Sequence, residues 1–184
     1  MSSHKKPSYT ELVEFEQQIY EELGKESELT TREVEYISRK KIHIRFSEQK
    51  FSGARWTLFK NILLNSHSYS VSSDPSDPGL LSLVLHEIHH MRQGLITAMS
   101  VYGELDAWQV GYRFYQRLTG RTLKDPLIQL LEIPLSWSRP NLVKAKQLMK
   151  EFSPGYRIDW YSLYPIHLEI IWRLTHHQPD GLKN

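Results

Sequence analysis

The amino-acid sequence predicts a single α+β domain that is mostly helical. The chain has 184 residues, of which 40% are hydrophobic and 24% are charged, a composition typical of a globular domain with its own core. One short region alternates apolar and polar residues as strands do, whereas several longer regions repeat apolar residues at helical spacing. No internal repeat or low-complexity tract divides the chain, so we expect residues 1–184 to form one domain.

The N-terminal region predicts one amphipathic helix. Residues 8–23 place their apolar side chains on one broad face, and Gly24 is expected to end the helix. In the charged stretch that follows, residues 31–36 fit a single helical turn.

A small antiparallel sheet is expected next. Residues 41–46 alternate apolar and polar side chains, and residues 56–64 form a second region of strand-like composition. Ser52 and Gly53 mark a turn between the two regions. Residues 41–65 therefore predict a β-hairpin.

A well-delimited helix is expected over residues 78–93. Asp77 is a good N-cap and Pro78 suits the first helical position. Gly94 is a natural left-handed end of the same helix. The preceding Ser-, Asp- and Pro-rich residues 66–79 predict a loop.

The remainder of the chain is expected to be helical. A helix over about residues 98–118 ends before Gly120, and a helical C-terminal part covers residues 125–177. Within that part, helices are expected at 125–131, 139–152 and 161–175, with Pro165 early in the last one or at a kink in it.

The helix over residues 78–93 contains the sequence His-Glu-Ile-His-His at positions 86–90, which is an HExxH motif. Residues four apart lie about 40° apart around a helix, so His86 and His90 can reach one metal ion. Glu87 projects to the side of this pair, where it can take a proton from a water molecule. These residue types at this spacing indicate a zinc site with a general base.

A catalytic zinc ion usually needs a third protein ligand, and Glu104 is the expected one. It lies fourteen residues beyond His90, and an antiparallel return of the chain would bring it opposite the last turn of the motif helix. Asp106 is the alternative third ligand, but it lies about 200° around the helix from Glu104, so both cannot face one ion. Otherwise Asp106 would be solvated or would orient a ligand histidine. His89 is expected to be a neighbour of the site, because only the His86–His90 pair leaves Glu87 in its usual place.

These residues resemble the zincin metallopeptidases, and among them the gluzincin type, which has a glutamate as third ligand. The resemblance rests on His86-Glu87-x-x-His90 and on Glu104-x-x-Ala107, and Gln93 extends the first element to HExxHxxQ. It covers residues 55–118. The resemblance implies a zincin-like fold, one Zn²⁺ per chain held by His86, His90 and Glu104, and peptide-bond hydrolysis with Glu87 as general base. It also implies that the strand before the motif helix forms a sheet edge along which a protein or peptide substrate lies.

Such a mechanism also requires a hydrogen-bond donor to the developing oxyanion, and the sequence offers several candidates for this donor. The candidates in the C-terminal part are Tyr156, His167, His176 and His177. Trp108, one helical turn after Glu104, is expected either to line the cleft or to pack beneath it.

Three other functions remain open at the level of sequence. The chain can be a metal-binding, zincin-like regulatory or interaction protein without proteolytic activity, although an intact Glu87 argues against a purely structural metal. It can hydrolyse another bond, such as an amide in a small molecule, with the same site. It can also be a helical interaction protein in which the motif occurs by chance.

Charge and composition limit the partners and the compartment. The net charge of +2 gives no argument for nucleic acid, and the absence of cysteine excludes disulfides and thiol chemistry. The first residues lack an apolar leader segment, and no stretch approaches the length of a membrane span. We therefore expect a cytoplasmic protein that binds neither nucleic acid nor membrane, and the sequence does not indicate its oligomeric state.

Overall fold

The computed structural model describes residues 7–155 and 158–176, which form an α+β fold with one three-stranded sheet. The strands are β1 (His43–Ser47), β2 (Ala54–Trp56) and β3 (Asn61–Asn65). The helices are α1 (Tyr9–Lys25), α2 (Ser27–Lys40), α3 (Pro78–Gln93), α4 (Leu95–Ala98), α5 (Val101–Thr119), α6 (Leu127–Glu132), α7 (Arg139–Phe152) and α8 (Ile166–His176), with a 3-10 helix at Ile158–Trp160. The prediction of a mostly helical α+β chain is confirmed.

The N-terminal region holds two helices where the sequence predicted one. Helix α1 begins at a capping box formed by Ser8 and Glu11 and continues through Gly24, which does not adopt the left-handed conformation of a helix stop. Helix α2 replaces the expected single turn. It was missed because polar residues occupy much of its inward face, where Thr30 and Glu33 are buried beside Ile37.

The expected pairing of residues 41–46 with 56–64 as an antiparallel hairpin was wrong. Strand β1 pairs with β3 in parallel, and β2 pairs with β3 in the antiparallel sense, so β3 is central. The second predicted strand is broken by a turn at residues 57–60, in which Lys60 adopts a φ of 59°. The connection between β1 and β2 is held by the Asn65 side chain, which donates to the carbonyls of Gln49 and Ser52.

Helix α3 has the bounds that its caps predicted. The Asp77 carboxylate accepts a hydrogen bond from the backbone N–H of Leu80 at 2.7 Å, and Gly94 ends the helix with a φ of 80°. In the C-terminal part, the final helix starts five residues later than predicted, because Pro165 precedes its first residue.

The described residues form two apolar clusters, and α3 and α5 lie where they meet. The first cluster joins α1, α2, the sheet and α3 to Phe114 of α5, and the second joins the start of α5 to α6, α7 and the segment after residue 157. Helices α3 and α5 pack closely against each other, while α3 also packs along β2 at the sheet edge. Among the described residues, no helix is both long and apolar enough to cross a membrane.

Candidate metal centre and cleft

His86, His90 and Glu104 come together between α3 and α5. The two Nε2 atoms of His86 and His90 are 3.0 Å apart, as expected for residues one turn apart on the same helical face. Glu104 lies in the first turn of α5, and its Oε2 is 3.4 Å from Nε2 of His90 and 3.9 Å from Nε2 of His86. The structure therefore groups the three residues that the motif and its spacing selected.

This triangle of donor atoms could hold a metal ion. The three separations leave a point about 2.0 Å from every donor atom, which is the length of a bond from zinc to an imidazole nitrogen or carboxylate oxygen. His90 and Glu104 are each only 2% exposed, so water competes little for these donors.

Two small residues allow α3 and α5 to approach each other near the cluster. The Ser82 hydroxyl donates a 2.8 Å hydrogen bond to the carbonyl of Gly111. A Cβ atom at Gly111 would lie 3.2 Å from the Ser82 carbonyl oxygen and 3.5 Å from Cβ of His86. Ordinary side chains at these positions would push α5 away from the histidines.

The side-chain amide of Gln93 fixes the tautomer of His90. The Gln93 NH₂ group donates to the Gly103 carbonyl at 3.0 Å and to the Asp106 carboxylate at 2.8 Å. Its Oε1 must then face Nδ1 of His90, 3.1 Å away, so that nitrogen carries the hydrogen. Nε2 of His90 is consequently the nitrogen available to a cation in the cluster.

Asp106 takes part in a partly buried charge network behind the cluster. Its Oδ2 lies 2.7 Å from Nε2 of His89, whose Nδ1 lies 2.9 Å from Oε1 of Glu33. Arg92 donates to the same Glu33 oxygen at 2.9 Å. Burial opposes a charge on His89, but its bonds to Asp106 and Glu33 prevail and raise its pKa. The network ties α2, α3 and α5 together.

The network shows where His89 and Asp106, the two alternative ligands considered from the sequence, direct their polar atoms. His89 directs both ring nitrogens to carboxylates outside the cluster. Asp106 faces His89 and Gln93 and not the histidine pair, so it orients His90 through Gln93. Neither residue lines the cleft described below, whereas His86, His90 and Glu104 do.

Burial and neighbouring charges shift the pKa values of His86 and His90 in opposite directions. Burial, reinforced by the charge of His90, lowers the pKa of His86 to about 3. Burial also disfavours a charge on His90, but the Glu104 carboxylate outweighs it and raises the pKa of His90 to about 9. A proton on His90 thus balances the Glu104 carboxylate, and a cation bound by these three residues would take the place of that proton.

Glu87 is buried next to the cluster, and it interacts with the edge strand. It is 6% exposed and lines the same cleft as the three donors. Burial raises the pKa of Glu87 to about 7, while the charge of His90 and a hydrogen bond from the Trp56 backbone act to lower it. A carboxyl group whose pKa is near neutrality can both accept and return a proton.

The cluster opens into a cleft of about 940 Å³ between β2, α3 and α5. The cleft runs past the β1–β2 connection on one side and the C-terminal end of α7 on the other. Strand β2 lies at an edge of the sheet, and all three of its residues line this cleft. The loop residue His67 is exposed and lies outside it.

Tyr161 is a functional candidate in the cleft that the sequence did not indicate. It lines the cleft, and burial together with the nearby charges of Glu104 and Glu87 raises its pKa to about 12, so the hydroxyl stays protonated near neutral pH. Its segment is attached to the start of α5, where the backbone N–H groups of Val101 and Tyr102 donate to the carbonyls of residues 162 and 163. No local pattern distinguishes Tyr161 from the other tyrosines of the chain.

Of the four donor candidates named from the sequence, the structure describes two, and neither of these lines the cleft. His167 and His176 lie exposed on α8 and do not line it. Tyr156 and His177 lie outside the described residues. Trp108 does line the cleft, and it is only 6% exposed.

No protein-family model, curated protein or solved structure matches the chain. The functional assignment therefore depends on the geometry of the site.

Proposed function

We propose that the chain is a zinc-dependent peptidase that hydrolyses peptide bonds. The observation that carries this proposal is the grouping of His86, His90 and Glu104 around one point, with the buried carboxyl group of Glu87 beside them in the same cleft. A structural metal ion requires no such extra carboxyl group, and it does not require a cleft.

Zinc fits the donor set. Two imidazole nitrogens and one carboxylate oxygen are ligands that zinc accepts, and three protein ligands leave a further position free. When bound, zinc polarises a carbonyl group and lowers the pKa of water. His86, His90 and Glu104 would hold the ion, and Gln93 would keep His90 in the tautomer that binds it.

Glu87 and Tyr161 supply the proton chemistry of the proposed reaction. Glu87 accepts a proton from the attacking water and then returns it to the leaving amine. The Trp56 backbone hydrogen-bonds the Glu87 carboxylate and keeps it at the cleft. The protonated Tyr161 hydroxyl donates to the oxyanion that develops on the substrate carbonyl.

The edge strand β2 favours a polypeptide over a small amide as substrate. An extended peptide can add to an unpaired strand edge through backbone hydrogen bonds. The cleft borders β2 and the turn that follows it, and it continues past the metal cluster along α5. This length suits several residues of extended chain.

The proposal is tested by metal analysis and by one conservative variant. We expect about one zinc per chain in the purified protein and none in the His86→Ala/His90→Ala double variant. Glu87→Gln should keep the zinc and lose about 10²–10⁴-fold in peptide hydrolysis, the usual contribution of a general base. Full activity of Glu87→Gln, or a wild-type protein that takes up no zinc, would contradict the proposal.

A further inference from the structure

One wall of the cleft is aromatic. Trp108 and Tyr112 follow Glu104 on α5, and Phe152 ends α7. The ring centroid of Trp108 is 5.5 Å from that of Tyr112 and 5.7 Å from that of Phe152, and Tyr112 and Phe152 are 5.8 Å apart. All three rings line the cleft, so they present one continuous apolar surface to whatever enters it.

The margin of the cleft exposes large apolar side chains. Phe51 is 50% exposed, Leu58 68%, Met99 46% and Phe152 40%, and each of them lines the cleft. They come from four separate places in the chain: the β1–β2 connection, the β2–β3 turn, the end of α4 and the end of α7. Apolar side chains that gather around one concave surface mark a place where an apolar ligand is bound.

Charged groups are sparse in this part of the cleft. Apart from the metal cluster and Glu87, the charged side chains among its described lining residues are Glu48, Lys50 and Arg55, all in or near the β1–β2 connection. The aromatic wall itself carries none. A charged substrate side chain placed against it would lose water without gaining a counter-ion.

The aromatic wall begins within reach of the scissile bond. A helix rises 1.5 Å per residue, so Trp108 lies about 6 Å and Tyr112 about 12 Å beyond Glu104 along α5. An extended peptide advances about 3.3 Å per residue. The first two residues on that side of the scissile bond would therefore place a side chain against Trp108 and Phe152.

We propose that the substrate is an extended polypeptide segment with a large apolar side chain within two residues of the scissile bond, held against Trp108, Tyr112 and Phe152. This inference rests on the proposed peptidase function, and it names the substrate class of that site. Segments of this kind are buried in most folded proteins, so the substrate offers an unfolded or exposed apolar stretch to the cleft.

The test measures binding separately from hydrolysis. The probes are fluorescently labelled decapeptides with Gly-Ser flanks and a central pair of identical residues, which are Leu, Phe, Ala, Asp or Lys. Each peptide is titrated with zinc-loaded Glu87→Gln protein, and binding is followed by fluorescence anisotropy. Leu and Phe peptides should bind at least about tenfold more tightly than Asp and Lys peptides. Introducing Phe152→Ala into the Glu87→Gln protein should reduce this preference for apolar peptides to below about threefold. Adding Phe59→Ala should leave it unchanged, because Phe59 is 86% exposed at the β2–β3 turn and does not line the cleft.

The outcomes distinguish this inference from the proposed function. Equal binding of all five peptides, or no binding of any, overturns the inference even when the wild-type protein hydrolyses peptides. A preference that survives Phe152→Ala overturns the assignment of the aromatic wall. Selective binding of apolar peptides without hydrolysis by the zinc-loaded wild-type protein supports the apolar site and overturns the peptidase function.

Discussion

At the scale of single residues, the Gln93 amide decides which nitrogen of His90 is available to a metal. Its two donor hydrogens are committed to the Gly103 carbonyl and the Asp106 carboxylate, which leaves its oxygen for Nδ1 of His90. The glutamine that ends the extended HExxHxxQ sequence thus has a physical role that spacing alone does not reveal. It connects His90 to the hydrogen-bonded pair of Asp106 and His89.

Replacing Gln93 with Met tests this role, because Met has a similar volume but no amide. We expect the zinc dissociation constant of Gln93→Met to rise about 10–100-fold, since the ring of His90 loses the partner that fixes its tautomer. Competition with a chelator of known affinity measures this change. Gln17→Met is the matched control, because Gln17 lies on the outer part of α1 and bonds only to Glu21 in the described structure. Unchanged zinc affinity in Gln93→Met would show that Gln93 has no positioning role.

Tyr161 gives a second prediction at this scale. Removal of an oxyanion donor typically lowers kcat about 10²–10³-fold, so we expect a loss of this size in Tyr161→Phe with full zinc content and little change in KM. Steady-state kinetics together with metal analysis measure both quantities. The control is Tyr9→Phe, since Tyr9 is 73% exposed on α1 and does not line the cleft. Equal kcat in the two variants would exclude Tyr161 as the donor.

At the scale of elements, the turn between α3 and α5 sets the position of Glu104. Gly103 lies against the backbone of α4, where a Cβ atom would be 2.0 Å from the Thr97 carbonyl oxygen. The Ser100 hydroxyl caps α5 by accepting from the backbone N–H of Gly103 at 3.0 Å. The start of α5, and with it the third donor, therefore depends on a glycine at this position.

Gly103→Ala should thus destabilise the protein and release the metal. A methyl group so close to backbone cannot be relieved by a side-chain movement, and we expect a loss of at least about 3 kcal/mol in the free energy of unfolding. Gly24→Ala is the matched control. Gly24 is helical with nothing within 4 Å of an added Cβ, so this variant should gain about 0.5–1 kcal/mol. Denaturant unfolding of both variants measures their free energies of unfolding. Equal values would contradict the close packing of Gly103 against α4.

The elements also show which features the sequence can predict. Helix α3 was predicted with its observed bounds because Asp77, Pro78 and Gly94 act locally. Helix α2 was not predicted, because its inward face carries Glu33, whose partners His89 and Arg92 lie more than fifty residues away. The parallel pairing of β1 with β3 likewise depends on the connection that Asn65 holds in place. Structure that depends on distant polar partners leaves no periodic signal in the sequence.

At the scale of the whole molecule, the candidate metal site lies where two apolar clusters meet. His86 and His90 lie on α3, which packs in the first cluster. Glu104 lies at the start of α5, where the neighbouring apolar residues pack in the second. The donor residues could be selected from motif and spacing because the motif helix and the return of the chain are local. The cleft could not be predicted from the sequence, because its margin is formed by four distant parts of the chain. A bound ion would connect both halves of the core.

This position predicts that zinc stabilises the whole fold. A ligand present at 100 times its dissociation constant adds about 2.7 kcal/mol to the free energy of unfolding, if it binds only the folded chain. For a chain of this length, each kcal/mol raises Tm by about 2–4 °C, so zinc should raise Tm by roughly 5–10 °C over the chelator-treated protein. Thermal unfolding followed by circular dichroism, with and without added zinc, measures the shift. The His86→Ala/His90→Ala variant should show none, since it retains α3 and α5 but lacks two of the three donors. A shift of equal size in that variant would mean that zinc binds elsewhere, and the absence of any shift in the wild type would mean that no ion joins the two halves of the core.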